Sequence, residues 1–288
     1  MRLKRVVFFI IGIVCISLFL TSIYIYNHKK VKISNFLMPL YYTNGMATIR
    51  ADKHAFVMDS GSSSSIFFKN KYQKFFIGFS KITDAHAKTR FIPIFFFPQI
   101  EIAELHFKIT NIVGNYIHEI FAIDSSIKGI FGRDIIRATN WHFNLANNVI
   151  ETMDIDSNIV IPKKSITFAY QNEKIPQTKV NVNGLIYEML IDIGCNVDLC
   201  FDSLQIAEIC TKNKYRNKQK DTISSTFSKD LMDGYIFDSL TIEDISYSNI
   251  HINVIQNKNI IGMKFFRRFD HLFWDSGNKK VYLWNDEE

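Results

Sequence analysis

Two aspartates stand at the ends of closely similar apolar runs, Phe56-Val57-Met58-Asp59-Ser60-Gly61-Ser62 and Met189-Leu190-Ile191-Asp192-Ile193-Gly194-Cys195. An apolar strand that stops at Asp and turns through Gly fixes a carboxylate in space, where hydroxyl and backbone N–H groups of the turn can hydrogen-bond it. Two such carboxylates a few ångströms apart do not both ionise; they share a proton and their pKa values separate. The ionised member can then take a proton from a water molecule while the protonated member donates to the group that the water attacks. This is general acid–base chemistry, and it calls for neither metal nor cofactor. The shared proton belongs to the pair, so neither role is assigned to one residue.

The elements that must position these aspartates are repeated along with them. The ungapped shift that carries Asp59 onto Asp192 also carries Ala47-Thr48-Ile49 onto Val180-Asn181-Val182. Further on, Gly129-Ile130-Phe131-Gly132-Arg133-Asp134 answers to Asn259-Ile260-Ile261-Gly262-Met263-Lys264, and Ile135-Ile136-Arg137 to Phe265-Phe266-Arg267. Trp141-His142-Phe143-Asn144 corresponds to Leu272-Phe273-Trp274-Asp275 with one residue of slippage. A repeat of this length is a duplicated domain, because solenoid periods are about 20 to 50 residues. A third Asp-Ser-Gly, Asp275-Ser276-Gly277, lacks these surroundings. It lies between Phe273-Trp274 and the strand-like Val281-Tyr282-Leu283-Trp284 and reads as a hairpin turn.

Other polar residues offer less. His86 and His118 have no metal-ligand spacing, and His118-Glu119 lacks the second His of a zinc-peptidase helix. Ser62 to Ser65 do not form a nucleophile elbow. Arg133, Asp134, Arg267 and Arg268 read as solvated or lobe-bracing charges, and Phe91–Phe97 as core or as a hairpin over a cleft. Cys15 falls in the apolar N-terminal run, and Cys195, Cys200 and Cys210 read as small buried hydrophobes, with a Cys200–Cys210 disulfide as the alternative.

The chain has 288 residues, of which 47% are hydrophobic, ample for a folded core. Val6 to Tyr26 carry no charge and are flanked by Arg2, Lys4 and Arg5 on one side and Lys29, Lys30 and Lys32 on the other. At ~1.5 Å per residue such a helix matches a bilayer's hydrocarbon core of ~30 Å. The run is expected to be an uncleaved single-pass anchor rather than a cleaved signal peptide, with the main domain on the periplasmic or extracellular side. The six basic flanking residues equal the whole formal charge of +6, so the rest of the chain is formally neutral. That excludes a basic nucleic-acid-binding face as the reason for the net charge.

Short β-rich runs dominate beyond the N-terminus: Met46–Arg50, Ala55–Met58, Phe91–Phe97, Phe107–Val113, Val149–Met153, Lys179–Val182, Tyr187–Ile191, Tyr235–Ile242, His251–Ile255 and Lys280–Trp284. Asn183-Gly184 is a strong hairpin signal. Ser203–Cys210 and Asp134–Ala138 read as short helices, and Asp154–Gln177 as the junction between the copies. Hairpins within 88–114 and 229–254, the first after a polar turn at His86–Thr89, could overhang a cleft.

Over residues 40–288 these motifs resemble the two-lobed aspartic peptidases of the pepsin and retropepsin type, in the style of their membrane-anchored bacterial members. The resemblance implies an all-β fold of two β-barrel lobes preceded by one N-terminal transmembrane helix, with an anchor at 1–32 and lobes at 33–158 and 159–288. It implies catalytic roles for Asp59 and Asp192, supporting turns from Ser60, Gly61, Ser62, Ile193 and Gly194, and Gly elements at Ile130-Phe131-Gly132 and Ile260-Ile261-Gly262. It further implies a polypeptide substrate, no metal or cofactor, membrane contact through residues 6–26, no nucleic acid, and a monomer, since both lobes are in one chain. The second turn departs from the family pattern: Ile193 stands where a Thr or Ser hydroxyl ties the two turns together, and Cys195 replaces a hydroxylic residue. Two readings follow, an aspartic endopeptidase and a catalytically inactive relative that binds extended peptide in its cleft by strand addition. A duplicated structural β-domain is a third, but it would not need an Asp in both copies.

Overall fold

A computed structural model describes residues 2–28, 30–51, 54–68, 72–83, 89–102, 107–117, 126–157, 159–171, 175–224 and 229–286. His86, His118 and Glu119 lie outside the described residues, as do positions 86–88 of the expected polar turn. The chain is built mainly of β-strands in two sheets, as the alternation of apolar residues implies.

The repeat read from sequence is a repeat of strand order. In the first copy Met46–Ala51, His54–Met58, Ile127–Phe131, Ile66–Phe68, Phe107–Ile117, Thr89–Ile102 and Phe75–Thr83 lie side by side in that order. The second copy places Gln177–Val182, Leu185–Asp192, Ile260–Gly262, Leu199–Phe201, Ile245–Val254, Lys229–Ile242 and Tyr215–Ser224 in the same sequence. In both, the strand that leads to the aspartate runs parallel to the strand of the Gly element, with Met58 opposite Phe131 and Asp192 opposite Gly262. The Gly positions are dictated by close approach. A Cβ on Gly132 would lie 2.6 Å from the Ser64 carbonyl carbon, and one on Gly262 would lie 2.5 Å from the Val197 oxygen.

A joint sheet connects the copies. Asn140–Asn144 pairs antiparallel with His271–Asp275, setting Trp141 opposite Trp274 and Phe143 opposite Leu272. Val149–Met153 and Lys280–Trp284 flank this pair, and Leu37–Thr43 continues the sheet into the first copy. The segment expected to be a plain junction, Asp154–Gln177, contains an edge strand, Ile166–Ala169, paired with Lys280–Trp284. Strands from the C-terminal end therefore belong to the sheet of the first copy, and the sheets do not divide where the sequence does.

One large apolar cluster runs through both copies, including Trp141, Phe143, Phe131, Phe265 and Trp274. Burying each such side chain contributes roughly 2 to 3 kcal/mol. The indole N–H groups are satisfied, Trp141 by the Ile136 carbonyl at 2.8 Å and Trp274 by the Tyr170 hydroxyl at 3.1 Å. The buried Arg133 guanidinium lies over the Tyr170 and Trp274 rings, and Arg267 over Tyr42, so both brace one copy against the other. The expected helices are present as Arg133–Ile136 and Ser203–Lys212, the latter capped by the Asp202 carboxylate, which accepts from Leu204 N–H.

One expectation is overturned. The N-terminal run is helical as Arg2–His28, but among the described residues no helix is long and apolar enough to cross a membrane. The single-pass anchor over 6–26 and the placement of the main domain outside the cytoplasm are corrected accordingly. The four cysteines are free thiols, which removes the Cys200–Cys210 disulfide.

Candidate active site

Each aspartate is delivered by a strand that ends in a tight turn. Asp59 follows His54–Met58 and donates its N–H to the Phe131 carbonyl at 2.9 Å, while Asp192 ends Leu185–Asp192. The turns close alike: Ser62 N–H donates to Asp59 Oδ1 at 2.9 Å, and Gly194 N–H to Asp192 Oδ1 at 2.9 Å. Gly61 N–H supports both carboxyl groups.

The two turns face each other. A Cβ on Gly61 would lie 2.3 Å from Asp192 Oδ2, and one on Gly194 would lie 2.6 Å from Asp59 Cγ. Any side chain at either glycine would fill the space that the opposite carboxyl occupies. The Asp59 and Asp192 carboxyl groups are therefore close enough for each to shift the other's titration. Burial and the neighbouring Asp192 charge hold Asp59 well above the ordinary carboxylate range. Burial also raises Asp192, opposed by the Gly194 N–H, the Asp59 hydrogen bond, the Gly61 N–H and the Lys258 charge. The pair thus keeps a proton at pH values where isolated carboxylates have lost theirs.

The tie between the turns is one-sided. The buried Ser60 hydroxyl donates to the Ile191 carbonyl at 2.8 Å and accepts from Ile193 N–H at 3.0 Å. Symmetry would have a hydroxyl at 193 reach back toward the first turn, but the fully buried Ile193 side chain joins the apolar core instead. Ser62 does not direct its own hydroxyl at the aspartates; it donates to the Ser64 carbonyl at 2.8 Å. Cys195 packs against the cluster that contains Cys200. Contact with Cys200, then burial, then the carboxylates push its thiol well above the usual range.

All of the expected site residues, Asp59, Ser60, Gly61, Ser62, Asp192, Ile193 and Gly194, belong to these two facing turns. The Asp275-Ser276-Gly277 segment is apart from them and forms the hairpin between His271–Asp275 and Lys280–Trp284. There Asp275 accepts from the backbone and side-chain N–H groups of Asn278, both at 2.8 Å. Among the described residues no group of three or more His, Cys, Asp or Glu side chains could hold a metal ion.

Sequence reasoning missed the supports behind the turns. In the first copy the Asp134 carboxylate accepts from Ser65 N–H at 3.0 Å and Ser65 Oγ at 2.6 Å, and Ser65 Oγ accepts from Gly132 N–H. In the second copy the fully buried Asp198 accepts from Arg268 Nε and His251 N–H, each at 3.1 Å, with Lys264 Nζ 3.5 Å away. The repeat alignment sets Ser65 on Asp198 and Asp134 on Lys264, so acid and partner have changed places between the copies. That exchange was a readable signal.

No protein-family model and no curated protein match the chain. Among solved structures, a retropepsin-like aspartic protease from Rickettsia conorii aligns with 41% of this chain and 89% of its own, at 18% identity and a TM-score of 0.31. An aspartic proteinase from Irpex lacteus aligns with 88% of this chain and 98% of its own, at 9% identity and a TM-score of 0.59. With its duplicated strand order and its length covered almost throughout by the second of these, the chain has the fold of the aspartic proteinases.

Proposed function

We propose that the protein is an aspartic endopeptidase that hydrolyses peptide bonds of a polypeptide substrate with Asp59 and Asp192 as its catalytic pair. The observation that carries this reading is the placement of the two carboxyl groups, each seated against the glycine of the other's turn. A raised, shared proton supplies both roles at once: the ionised carboxylate takes a proton from water, which attacks the scissile carbonyl, and the protonated one donates to the carbonyl oxygen. The lobes are taken as 33–158 and 159–288, with Ser60, Gly61, Ser62, Ile193 and Gly194 holding the pair. Because both turns come from one chain, the active unit is a monomer.

A second reading, an inactive relative that binds extended peptide, is favoured by Ile193 and Cys195, which remove hydroxyls from the second turn. Incubation with an unfolded polypeptide, followed by identification of new chain termini, separates the two. Cleavage supports the endopeptidase, and retention of the peptide uncut supports the binding protein.

A further inference from the structure

A second titratable cluster lies on the joint sheet and uses residues from both copies. His142 Nδ1 and Glu151 Oε1 are 2.6 Å apart, His142 Nε2 and His271 Nδ1 3.0 Å, and His271 Nε2 and Asp286 Oδ1 2.9 Å. Glu151 and His142 come from the paired strands Val149–Met153 and Asn140–Asn144, while His271 and Asp286 come from the C-terminal end. Both imidazoles lie nearly parallel to the Trp284 ring, at 5.8 and 4.9 Å between centroids and tilted by 11° and 12°. His142 also meets the edge of Phe273. Among the described residues a further acid, Asp270, lies beside the cluster and accepts from Asp286 N–H at 3.0 Å.

Valence fixes how many protons this chain can hold. Each of its three hydrogen bonds needs one proton, and both carboxylates are acceptors when ionised. The outer ring nitrogens, His142 Nδ1 and His271 Nε2, then each carry a proton, and the inner pair must share a third. With three ring protons the two rings would be one imidazole and one imidazolium, the charge lying between two carboxylates and against the Trp284 face. A fourth proton would set two N–H groups head to head at 3.0 Å, with like charges on both rings and no acceptor between them.

We propose that Glu151–His142–His271–Asp286 is a proton-counted joint between the two copies, closed with three ring protons and opened by a fourth. Acid then loosens the seam where Trp141 faces Trp274, independently of whatever chemistry the aspartates perform.

The test follows ring nitrogens by long-range proton–nitrogen correlation in the whole labelled protein from about pH 8 to about pH 4, across the imidazole and carboxylate ranges. The expected result is one coupled titration for the two rings. In His142→Asn and in His271→Asn the coupling between the rings should be lost. Amide protection factors at Trp141, Phe143, Leu272 and Trp274 should fall about fivefold in wild type once the fourth proton binds, the equivalent of one ordinary hydrogen bond. Independent titration of the rings in wild type, or protection unchanged across the transition, would overturn the proposal.

Discussion

The Ser60 hydroxyl holds the backbone on both sides of Asp192, donating to the Ile191 carbonyl and accepting from the Ile193 N–H, and Ile193 has no hydroxyl with which to return the bond. The geometry of Asp192 therefore depends on a residue of the other turn. Ser60→Ala leaves a buried carbonyl and a buried N–H without that partner, at a cost of about 1 to 3 kcal/mol in unfolding free energy. Ser60→Thr keeps the hydroxyl and should restore most of the loss. Urea unfolding of the two variants checks this. Equal stability of Ser60→Ala and wild type would mean that the tie carries no weight.

Stability should depend on pH through the aspartate pair. The folded pair binds its proton more tightly than the unfolded chain does, because burial and the Asp192 charge raise Asp59 well above its ordinary value and burial raises Asp192 as well. This stabilisation is fully present below the unfolded carboxylate pKa and is lost as pH rises through the folded value. Asp59→Asn removes one buried charge and should flatten the decline, unfolding at higher temperature than wild type near neutral pH. Asp59 and Asp192 are half-buried residues, so the gain is on the order of 1 kcal/mol. Thermal melts from acid to neutral pH measure it, and a wild-type curve as flat as that of the variant would contradict the shared proton.

Cys195 sits beside the pair but should be a poor nucleophile. Its thiol is raised by contact with Cys200, by burial and by the carboxylates, so little thiolate exists at neutral pH. Alkylation by iodoacetamide, followed by mass spectrometry, should be slower at Cys195 than for a free cysteine and should accelerate only at alkaline pH. Rapid modification at neutral pH would contradict the electrostatics described for the site.

The buried Asp198 supports the second turn through Arg268, His251 N–H and its own carbonyl, which accepts from Gly262 N–H at 3.0 Å. Arg268→Ala removes the guanidinium and leaves the carboxylate to the more distant Lys264. Because Arg268 is partly exposed, the expected loss is about 2 to 3 kcal/mol, at or below the lower end for breaking a buried pair. Chemical denaturation gives the number directly, and a loss within error of zero would mean that the pair is not structural.

Much of the fold was legible because the chain states it twice. The ten expected strands lie within observed ones, or overlap them at an end, and Asn183-Gly184 turns with φ of 51° and 80° as a hairpin requires. Several of the strands that escaped notice lacked a clean apolar alternation. Tyr215–Ser224 is interrupted by Arg216, Lys218, Lys220 and Asp221, the charges of an exposed edge. Ile166–Ala169, Ile66–Phe68 and Leu199–Phe201 are too short to show a period. The aspartates were visible from their matching surroundings. Ser60 was recognised as a turn residue, but its double bond to the opposite turn depends on how the copies face each other, which no local pattern encodes. The N-terminal helix shows the converse error, in which an uncharged run was read as a membrane span that the described residues do not supply.

The most direct test of the account is the rate of cleavage of one unfolded polypeptide by wild type, Asp59→Asn and Asp192→Asn, measured in parallel from acid to neutral pH. The account predicts cleavage by wild type with a pH optimum set by the shared proton, and a fall in kcat/KM of at least about a hundredfold in each variant. Cleavage by either variant at the wild-type rate would contradict it.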